Sequence, residues 1–376
     1  MKFSCLKENL KQGLSIVSHL STKNVNFPIL NNALIKIENK LIKLITTNLE
    51  IAINVNIRGK VDAEGDFTVP AKLFYDYIAL LPNERIDLEV RGNNLEIQSG
   101  LFETKIKGQP AAEFPLLPQI QKNHVCEVKG KDFKRALEQV LFAVASNELR
   151  PEISGVLFNF SKEEPFEVRL VGTDSYRLAE KKIAFKIKEG NPNVPRDIIV
   201  PLKTLAEVNH LISVLGVSEE QNLEIAVLEN QVLFQYDSVE LIARLIEGQY
   251  PNYKQVIPES FKTRGVFSRD ELEKIIKSSS LFAAGLNDIN LKISASEGFL
   301  SVSSINSQTG EQKATIKGLV EGIDNEVTLN YRYLLDFMSA VQNPNTEVKL
   351  IDAYNPCVLV PKDSKDYLYV VMPIKR

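Results

Sequence analysis

Apolar residues spaced by three or four positions follow a short strand-like run at three places in the chain. The runs are Lys2-Phe3-Ser4, Cys126-Glu127-Val128 and Val266-Phe267-Ser268. The apolar stripes that follow them are Leu6, Leu10, Leu14 and Val17; Phe133, Leu137, Val140, Leu141 and Val144; and Leu272, Ile275, Ile276 and Phe282. This spacing places each set on one face of a helix. The pattern therefore predicts a strand followed by an amphipathic helix at each place.

A second marker, a strand that runs into another helix, also occurs three times. It lies at 67–72, 199–203 and 328–332, and Pro70 and Pro201 stand at the helix start in the first two copies. Proline is tolerated in the first helical turn because the amide that it lacks would have no partner there. Pro201 lies 131 residues after Pro70, and Asn330 lies 129 residues after Pro201. The chain is therefore predicted to consist of three similar repeats.

Each second helix is followed by two short apolar runs around a polar turn, which is the pattern of a β-hairpin. The paired runs are 86–90 with 95–97, 223–227 with 232–234, and 348–350 with 357–360. Between the helices, the alternation of apolar with polar or small residues at 51–57 predicts a half-buried strand. The equivalent segments of repeats two and three are 156–160 and 291–293. The predicted fold class is α+β, with three repeated domains of two helices and an antiparallel sheet.

Aromatic residues followed by proline mark the two predicted domain boundaries. They lie at 112–118 and 248–258, where the pairs Phe114-Pro115 and Tyr250-Pro251 favour a stiff, extended backbone. We predict domains at 1–122, 123–258 and 259–376.

Six helices are predicted, at 7–20, 71–81, 131–146, 202–214, 269–282 and 331–341. They carry 11 basic and 9 acidic residues, whereas the whole chain has 45 Lys and Arg against 48 Asp and Glu. The net charge of −3 does not by itself suggest binding to nucleic acid. The helices are nevertheless slightly basic within an acidic chain, which favours a face that attracts a polyanion weakly.

Composition narrows the class of protein. The chain has 376 residues, of which 44% are apolar and 25% charged, and this is globular usage. No apolar run reaches the roughly 18 residues of a membrane helix, and the first residues do not look like a secretory signal. Three cysteines without a C-x-x-C pair favour the reducing cytoplasm. Neither a metal nor another cofactor is expected.

No motif of an enzyme is apparent in the sequence. Phosphate-binding loops, dinucleotide fingerprints and nucleophile elbows are missing from it. His19, His124 and His210 have no neighbouring carboxylate or nucleophile in sequence, so each is interpreted as a surface or capping histidine. A metal-free hydrolase with a triad assembled in space stays an alternative, although three near-equal repeats without a long insertion argue against it. A second alternative is a linear scaffold of three domains.

Several segments together resemble the bacterial replicative sliding clamps, the β subunits of the DNA polymerase III holoenzyme. They are Met1-Lys2-Phe3, Leu20-Ser21-Thr22, Phe27-Pro28-Ile29-Leu30, Val69-Pro70-Ala71-Lys72, 172–179, Tyr250-Pro251-Asn252-Tyr253 and Tyr369-Val370-Val371-Met372-Pro373. The resemblance spans the whole chain. It implies a head-to-tail homodimer that closes a ring around duplex DNA, with helices lining the hole and no catalysis. Such a clamp tethers the replicative polymerase for processive synthesis and also docks the clamp loader, other polymerases and repair proteins.

Basic and amide residues at predicted helix ends are the candidate DNA-facing set. They are Lys7, Lys11, Lys23, Lys72, Asn147, Arg150, Lys203 and Arg332. The alternative interpretation is that they are solvated helix ends. The resemblance assigns DNA contacts to Asn147, Arg150 and Lys203. Asn24 stands where many relatives carry a basic residue, which weakens the expectation for that loop.

The resemblance also implies a pocket that takes a short peptide from partner proteins, between the second and third domains. Its lining would be Ile153, Thr173, Ser175, Tyr176, Arg177, Leu178, Pro251, Gln255, Val256, Asn330, Tyr333, Tyr354, Pro356, Val370, Val371, Met372, Pro373, Ile374 and Lys375. The positions equivalent to Thr173 and Asp174 in the other repeats also carry a hydroxyl or Asx residue, which indicates a structural turn. Tyr176 and Arg177 occur only in repeat two and are the better functional candidates.

The dimer interface is expected to join repeat one of one copy to repeat three of the other, since only those repeats have a free end. By the resemblance, the strand at 101–107 should pair with an edge strand of repeat three. Ile106, Leu281 and Phe282 are expected to pack at this interface.

Overall fold

The computed structural model describes residues 1–21, 26–82, 84–115, 125–146, 149–188, 196–283 and 285–375. Within these ranges the helices are α1 (Lys7–Leu20), α2 (Ala71–Leu80), α3 (Gly130–Val140), α4 (Leu202–Leu215), α5 (Arg269–Ser280) and α6 (Tyr331–Ala340). Each of these helices lies where the apolar spacing predicts one.

The strands are β1 (Lys2–Leu6), β2 (Asn32–Glu38), β3 (Leu41–Thr47), β4 (Ile51–Ile57), β5 (Gly59–Ala63), β6 (Gly65–Pro70), β7 (Arg85–Arg91), β8 (Asn94–Ser99), β9 (Phe102–Lys107), β10 (Val125–Lys129), β11 (Gly155–Phe160), β12 (Glu167–Thr173), β13 (Arg177–Ala184), β14 (Lys186–Ile187), β15 (Ile198–Pro201), β16 (Asn222–Val227), β17 (Gln231–Tyr236), β18 (Val239–Arg244), β19 (Thr263–Ser268), β20 (Asp288–Ser294), β21 (Phe299–Asn306), β22 (Gly310–Lys317), β23 (Leu319–Gly322), β24 (Asn325–Asn330), β25 (Asn345–Leu350), β26 (Cys357–Pro361) and β27 (Tyr367–Val371). Every pairing between them is antiparallel.

The three predicted hairpins are confirmed by their registers. In β7 and β8 Leu88 lies opposite Ile97, and in β16 and β17 Ile225 lies opposite Phe234. In β25 and β26 Val348 lies opposite Leu359. Six of these apolar side chains, one on each strand, are buried. The register of each hairpin is therefore fixed, because a slip by one residue would turn these side chains from the core to the solvent face of the sheet.

One helix boundary differs from the expectation. The apolar stripe predicts a helix over 131–146, but α3 ends at Val140 and a 3-10 turn follows at Leu141–Ala143. Beyond it, the amide of Ala145 lies 3.2 Å from the carbonyl oxygens of both Ile153 and Thr173. Tertiary hydrogen bonds thus replace the helical bond that this amide would have made, and the helix stops early.

The chain folds into two compact units, of which the first comprises Met1–Lys134, Phe185–Arg196 and Lys203–Leu245. It contains a five-stranded sheet in the order β5-β1-β7-β8-β9 and a nine-stranded sheet in the order β14-β10-β16-β17-β18-β4-β3-β2-β6. Repeats one and two meet where β4 pairs with β18, with Ile53 opposite Leu241. The first unit is therefore built from two repeats.

The second compact unit comprises Arg135–Ala184, Asp197–Leu202 and Ile246–Arg376. Its nine-stranded sheet has the order β15-β11-β12-β13-β27-β26-β25-β19-β23, and its four-stranded sheet has the order β22-β21-β20-β24. Repeats two and three meet where β13 pairs with β27. The middle repeat thus contributes strands to both units. The predicted boundaries after residues 122 and 258 stay a prediction.

Helix α1 approaches its sheet closely because a glycine faces the strands. A Cβ atom on Gly13 would lie 2.3 Å from Cδ1 of Ile57 in β4, so a larger side chain would push the helix away. Beside this contact, the hydroxyl of Thr46 donates to the carbonyl oxygen of Val17 at 3.1 Å. Both contacts hold the helix with its apolar stripe on β3 and β4.

The second predicted linker packs onto one face of the sheet in the second unit. Tyr253 and Tyr250 cover an apolar cluster that includes Leu178 and Val370. The hydroxyl of Tyr253 donates to Glu180 at 2.8 Å, and that of Tyr250 donates to the carbonyl oxygen of Val171 at 3.1 Å. The linker is therefore held on the face of the sheet formed by β12, β13 and β27, and it covers that face. No helix in the described ranges is long and apolar enough to cross a membrane.

Candidate functional site

A tight turn between β12 and β13 holds the residues that are peculiar to repeat two. Thr173 Oγ1 donates to the carbonyl oxygen of Arg177 at 2.7 Å, and Oδ1 of Asp174 accepts the amides of Tyr176 and Arg177, each at 2.9 Å. The turn places Ser175 at φ 78°. Tyr176 projects from it with 64% of its surface exposed.

Arg177 in the predicted pocket contacts both carboxylates and aromatic rings. Its Nε donates to Asp174 at 2.9 Å, and its Nη1 pairs with Asp336 in α6. Its guanidinium carbon lies 4.5 Å from the ring centroid of Tyr333 and 5.5 Å from that of Phe142. The planar cation is therefore bound at its edge by carboxylates and on its faces by aromatic rings.

The surroundings of Arg177 favour its charge. Burial opposes the charge, but Tyr369, Asp336 and Asp174 outweigh it and hold the pKa of the guanidinium above its ordinary value. Only 13% of the side chain is exposed. Arg177 is thus a fixed cation in the wall of the predicted pocket.

The register of three strands brings distant segments of the predicted pocket to one end of the sheet. Arg177 in β13 lies opposite Val371 in β27, and Val371 lies opposite Cys357 in β26. β13 and β26 begin at this level and β27 ends there, so the turn at 174–176, the loop at 352–356 and the tail at 372–375 all leave the sheet together. This juxtaposition joins residues about 200 positions apart in sequence.

The tail is held by its backbone while its side chains stay half-buried. The amide of Met372 donates to the carbonyl oxygen of Tyr176 at 2.8 Å, and that of Ile374 donates to the carbonyl oxygen of Thr328 at 2.9 Å. Met372, Pro373 and Ile374 are partly buried, and Lys375 is exposed. An anchored backbone with accessible apolar side chains suits a surface that binds a peptide.

The predicted pocket residues divide into buried and accessible sets. Ile153, Thr173, Leu178, Val370 and Val371 are buried and belong to the core of the second unit. The accessible set is Ser175, Tyr176, Pro251, Gln255, Val256, Asn330, Tyr333, Tyr354, Pro356 and the tail. Within it, Asn330 caps α6, because its side chain accepts the amide of Arg332 at 2.9 Å. Sequence reasoning missed Phe142 and Asp336; the spacing of Tyr333 and Asp336, three residues apart on one helix face, was the available signal.

The candidate DNA-facing residues do not all remain available. Lys7 is 8% exposed and its Nζ donates to the carbonyl oxygen of Leu81, so it is bound within the first unit instead of facing a ligand. Arg150 is half-exposed, and it contacts Glu152 and Ser175, each at 3.1 Å. Lys23, Asn147 and also Asn24 lie outside the described residues.

Three of the candidates occupy the same place in successive repeats. Lys72, Lys203 and Arg332 are each the second residue of their helix, in α2, α4 and α6, and all three are exposed. A cation in the first turn is opposed by the positive end of the helix dipole. Helix stability therefore does not explain why a basic residue recurs at this position.

The candidate interface residues lie at free sheet edges. β9 is an edge strand of the first unit and β22 is an edge strand of the second. Leu281 is 76% exposed, and the Phe282 ring lies beside Gly310, the first residue of β22. Ile106 differs from the expectation, since at 5% exposure it packs into the core beneath β9.

Two of the histidines meet, although their neighbours in sequence gave no sign of it. The ring centroids of His19 in α1 and His210 in α4 lie 4.2 Å apart, and Nδ1 of His19 lies 2.9 Å from Glu207. His124 lies outside the described residues. The three cysteines are buried, and burial raises the pKa of each thiol to about 12, which makes them poor nucleophiles. Among the described residues, no group of acidic, histidine and cysteine side chains could hold a metal ion.

Family comparison covers almost the whole chain. Residues 1–118, 127–252 and 254–375 match the models of the N-terminal, central and C-terminal domains of the DNA polymerase III beta subunit. The chain belongs to the DNA polymerase III beta subunit family. Its three-domain α+β clamp fold is thereby established. Members of this family are non-catalytic processivity factors of DNA replication, and membership favours neither the hydrolase nor the linear scaffold.

Individual relatives of the beta subunit family agree in sequence and in fold. The chain is 28% identical to the beta sliding clamp of Staphylococcus epidermidis over 386 residues, which covers 100% of this chain and 99% of the relative. The DNA polymerase III beta subunit of Thermotoga maritima superposes with a TM-score of 0.90 at 26% identity, covering 100% and 99% of the two chains. The Bacillus subtilis sliding clamp superposes with a TM-score of 0.91 at 25% identity, covering the same shares.

The environment of Arg177 gives a testable prediction for this site. Arg177→Ala should lower the free energy of unfolding of the second unit by about 2 kcal/mol, because Asp174 and Asp336 lose their shared cation. Hydrogen exchange of the β13 and α6 amides measures this locally. The matched control is Arg150→Ala, a half-exposed arginine from the same unit, which should cost less than about 0.5 kcal/mol. Equal effects of the two variants would contradict the assigned contacts.

Proposed function

We propose that two copies of this chain close into a ring around duplex DNA and tether the replicative polymerase by a peptide pocket in the second unit. Three features support the proposal: basic helix starts, free sheet edges and an anchored but accessible tail. The observation that carries it is the family match along all three domains. The protein acts in the cytoplasm, where the bacterial chromosome is replicated.

The basic helix starts support a DNA-facing surface. Lys72, Lys203 and Arg332 repeat at one helix position, and Lys11 is exposed on α1. Scattered single cations contact phosphates without reading bases, and such contacts are weak at physiological salt. A ring that must slide needs contacts of this kind. Arg150 and Asn147 belong to the set by the resemblance, and Lys23 belongs to it as a basic residue near a predicted helix end; Lys23 and Asn147 lie outside the described residues.

The free edges support the dimer. β9 of one copy would pair with β22 of the other, which covers two rows of unpaired backbone groups. Exposed apolar residues lie near both edges: Leu101 precedes β9, Phe102 begins it, and Leu281 follows α5, the helix that packs against β22. A head-to-tail contact of this kind gives a closed ring of two copies if the rotation from one copy to the next is half a circle. Ile106 would then support β9 from beneath instead of touching the partner.

The pocket supports docking of replication proteins. Tyr176 and Tyr354 are 64% and 70% exposed, and both stand at the end of the sheet from which the tail leaves. Aromatic side chains of this kind are typical anchors at interfaces. The partners would be the polymerase III catalytic subunit, the clamp loader, other polymerases and repair proteins, each through a short apolar peptide.

The dimer placement is tested by charging the exposed edge residues. Leu281→Asp combined with Phe282→Asp should give a folded monomer of 42.2 kDa, whereas the unmodified protein should have twice that mass. The reason is that two carboxylates would be buried without partners in the dimer interface. Light scattering measures the mass. Leu319→Asp, at a site that is 72% exposed on β23, is the control and should leave the dimer unchanged. An unchanged dimer in the double variant would refute the placement.

The pocket is tested by removing one exposed anchor. Tyr176→Ala should weaken binding of a short apolar peptide from the polymerase about tenfold or more, as for a hot-spot aromatic residue, without loss of stability. Fluorescence anisotropy of the labelled peptide gives the affinity. Leu319→Ala removes a similarly exposed apolar side chain from the same unit and should have no effect. If both variants bind the peptide like the unmodified protein, the pocket lies elsewhere.

Encirclement is tested by DNA topology. Binding to a short duplex at physiological salt should be weak, roughly 10⁻⁴ to 10⁻⁶ M, as for non-specific phosphate contacts. After loading onto a nicked circle by an ATP-driven loader, the protein should stay through moderate salt and should leave once the circle is cut. Gel filtration before and after linearisation measures retention. Equal retention on both forms would mean that the protein grips DNA and does not enclose it.

A further inference from the structure

The stacked histidines connect two repeats within the first unit. The planes of His19 and His210 are inclined by 21° at a centroid distance of 4.2 Å. Both carboxylate oxygens of Glu207 lie within reach of Nδ1 of His19, at 2.9 and 3.0 Å. The arrangement fixes the ring of His19 from one edge and one face. His19 still exposes 53% of its side chain, whereas Glu207 exposes 14%.

The Nε2 atoms of both rings have no hydrogen-bond partner among the residues that the structure describes. Among the described residues, Nε2 of His19 has no hydrogen-bond partner, since its contacts run through Nδ1. Nε2 of His210 is buried and also lacks a partner there. An exposed imidazole whose Nδ1 is held by a carboxylate presents Nε2 as a donor when it is protonated. His19 is therefore oriented to offer a proton outward.

His19 and His210 line an open groove of about 1040 Å³ on the helical face of the first unit. Its walls come from α1, α2 and α4. The charged and titratable groups that line it are Glu8 and Lys11 from α1, Lys72, Tyr75 and Asp76 from α2, and the two histidines. Arg58 and Asp237 also face α1, but they line a separate cleft with Asn9 and Gln12.

The charge of this groove is close to balance. When both imidazoles are neutral, the positive charges near the groove are those of Lys11 and Lys72. The negative charges are the carboxylates of Glu8, Asp76 and Glu207, so one negative charge is in excess. One proton on His19 cancels the excess negative charge. Burial, with help from the neighbouring His19 and against the pull of Glu207, lowers the pKa of His210, which favours its neutral form beneath His19. A single proton thus changes whether the groove repels or accepts an anion.

We propose that this groove is a proton-controlled contact for the phosphate backbone of duplex DNA, in which protonated His19 donates from Nε2 to a phosphate oxygen. The inference rests on the proposed function, because it takes the face that bears Lys11 and Lys72 to be the face turned towards DNA. His210 is a positioning residue that keeps the His19 ring upright. The contact strengthens as the pH falls from 8 to 6.

The composition of the chain makes the experiment selective. It has three histidines, and histidine is the side chain whose ordinary pKa lies in this pH range. Fluorescence anisotropy with a short labelled duplex at low salt gives the affinity at pH 6 and pH 8. The unmodified protein should bind about fivefold more tightly at pH 6, the scale of one exposed ion pair. The slope of log K against log salt should steepen by about one.

Three variants assign the effect to one ring. His19→Gln should bind with the same affinity at both pH values. His210→Phe, which keeps a ring beneath His19, should retain the pH dependence. His124→Gln is the matched control and should behave like the unmodified protein. Circular dichroism at both pH values checks that the variants are folded.

The outcomes separate this inference from the proposed function. Affinity that does not rise at pH 6, or a rise that persists in His19→Gln or disappears in His124→Gln, overturns the proton-controlled contact. Retention of the unmodified protein on nicked circles tests encirclement independently, since enclosure does not depend on the charge of one groove. Retention without a pH response would refute this inference alone, and loss of retention at both pH values would refute the ring.

Discussion

The pairing of β13 with β27 is the constraint on which the second unit and its candidate site depend. It joins the middle repeat to the last one, and its register sets Arg177 opposite Val371. Because β27 also pairs with β26, the same register brings the turn after β12, the loop before β26 and the tail to one end of the sheet. A slip by one residue would turn the buried Val370 towards the opposite face. The core therefore specifies the position of the site.

The repeats separate what the turn after β12 needs for its backbone from what is peculiar to repeat two. Thr47 and Asn48 make the same hydrogen bonds in repeat one that Thr173 and Asp174 make in repeat two. Repeat one ends this turn with Ile51, which is buried, where repeat two has Arg177. The hydroxyl and the Asx oxygen are thus needed for the backbone. Asp174 adds the charge that allows a cation to be kept beside two aromatic rings, where an unpaired one would be costly.

Local periodicity was sufficient to predict the helices and hairpins, because each repeats a short apolar pattern that the core then buries. It failed at Val140, where the amide of Ala145 found carbonyl partners 8 and 28 residues further along the chain. It failed again at Lys7, whose stem is buried and whose amine reaches a carbonyl 74 residues away. The stacked histidines are 191 residues apart in sequence. Contacts of this kind depend on which strands pair, and a single sequence does not carry that information in its local pattern.

The same limit explains why the pocket was predicted from the resemblance and only in part from the residues. Tyr176 and Arg177 could be singled out because the other repeats lack them. Only the spacing of three residues from Tyr333 distinguishes Asp336 from an ordinary acidic residue on an exposed helix face. The basic helix starts were visible in sequence, but their meaning depends on the helix dipole that opposes them. A chain of net charge −3 that places single cations where helices disfavour them is suited to a polyanion that it must not hold tightly. In the proposed ring, enclosure would supply retention, and the contacts would need to hold the duplex only weakly.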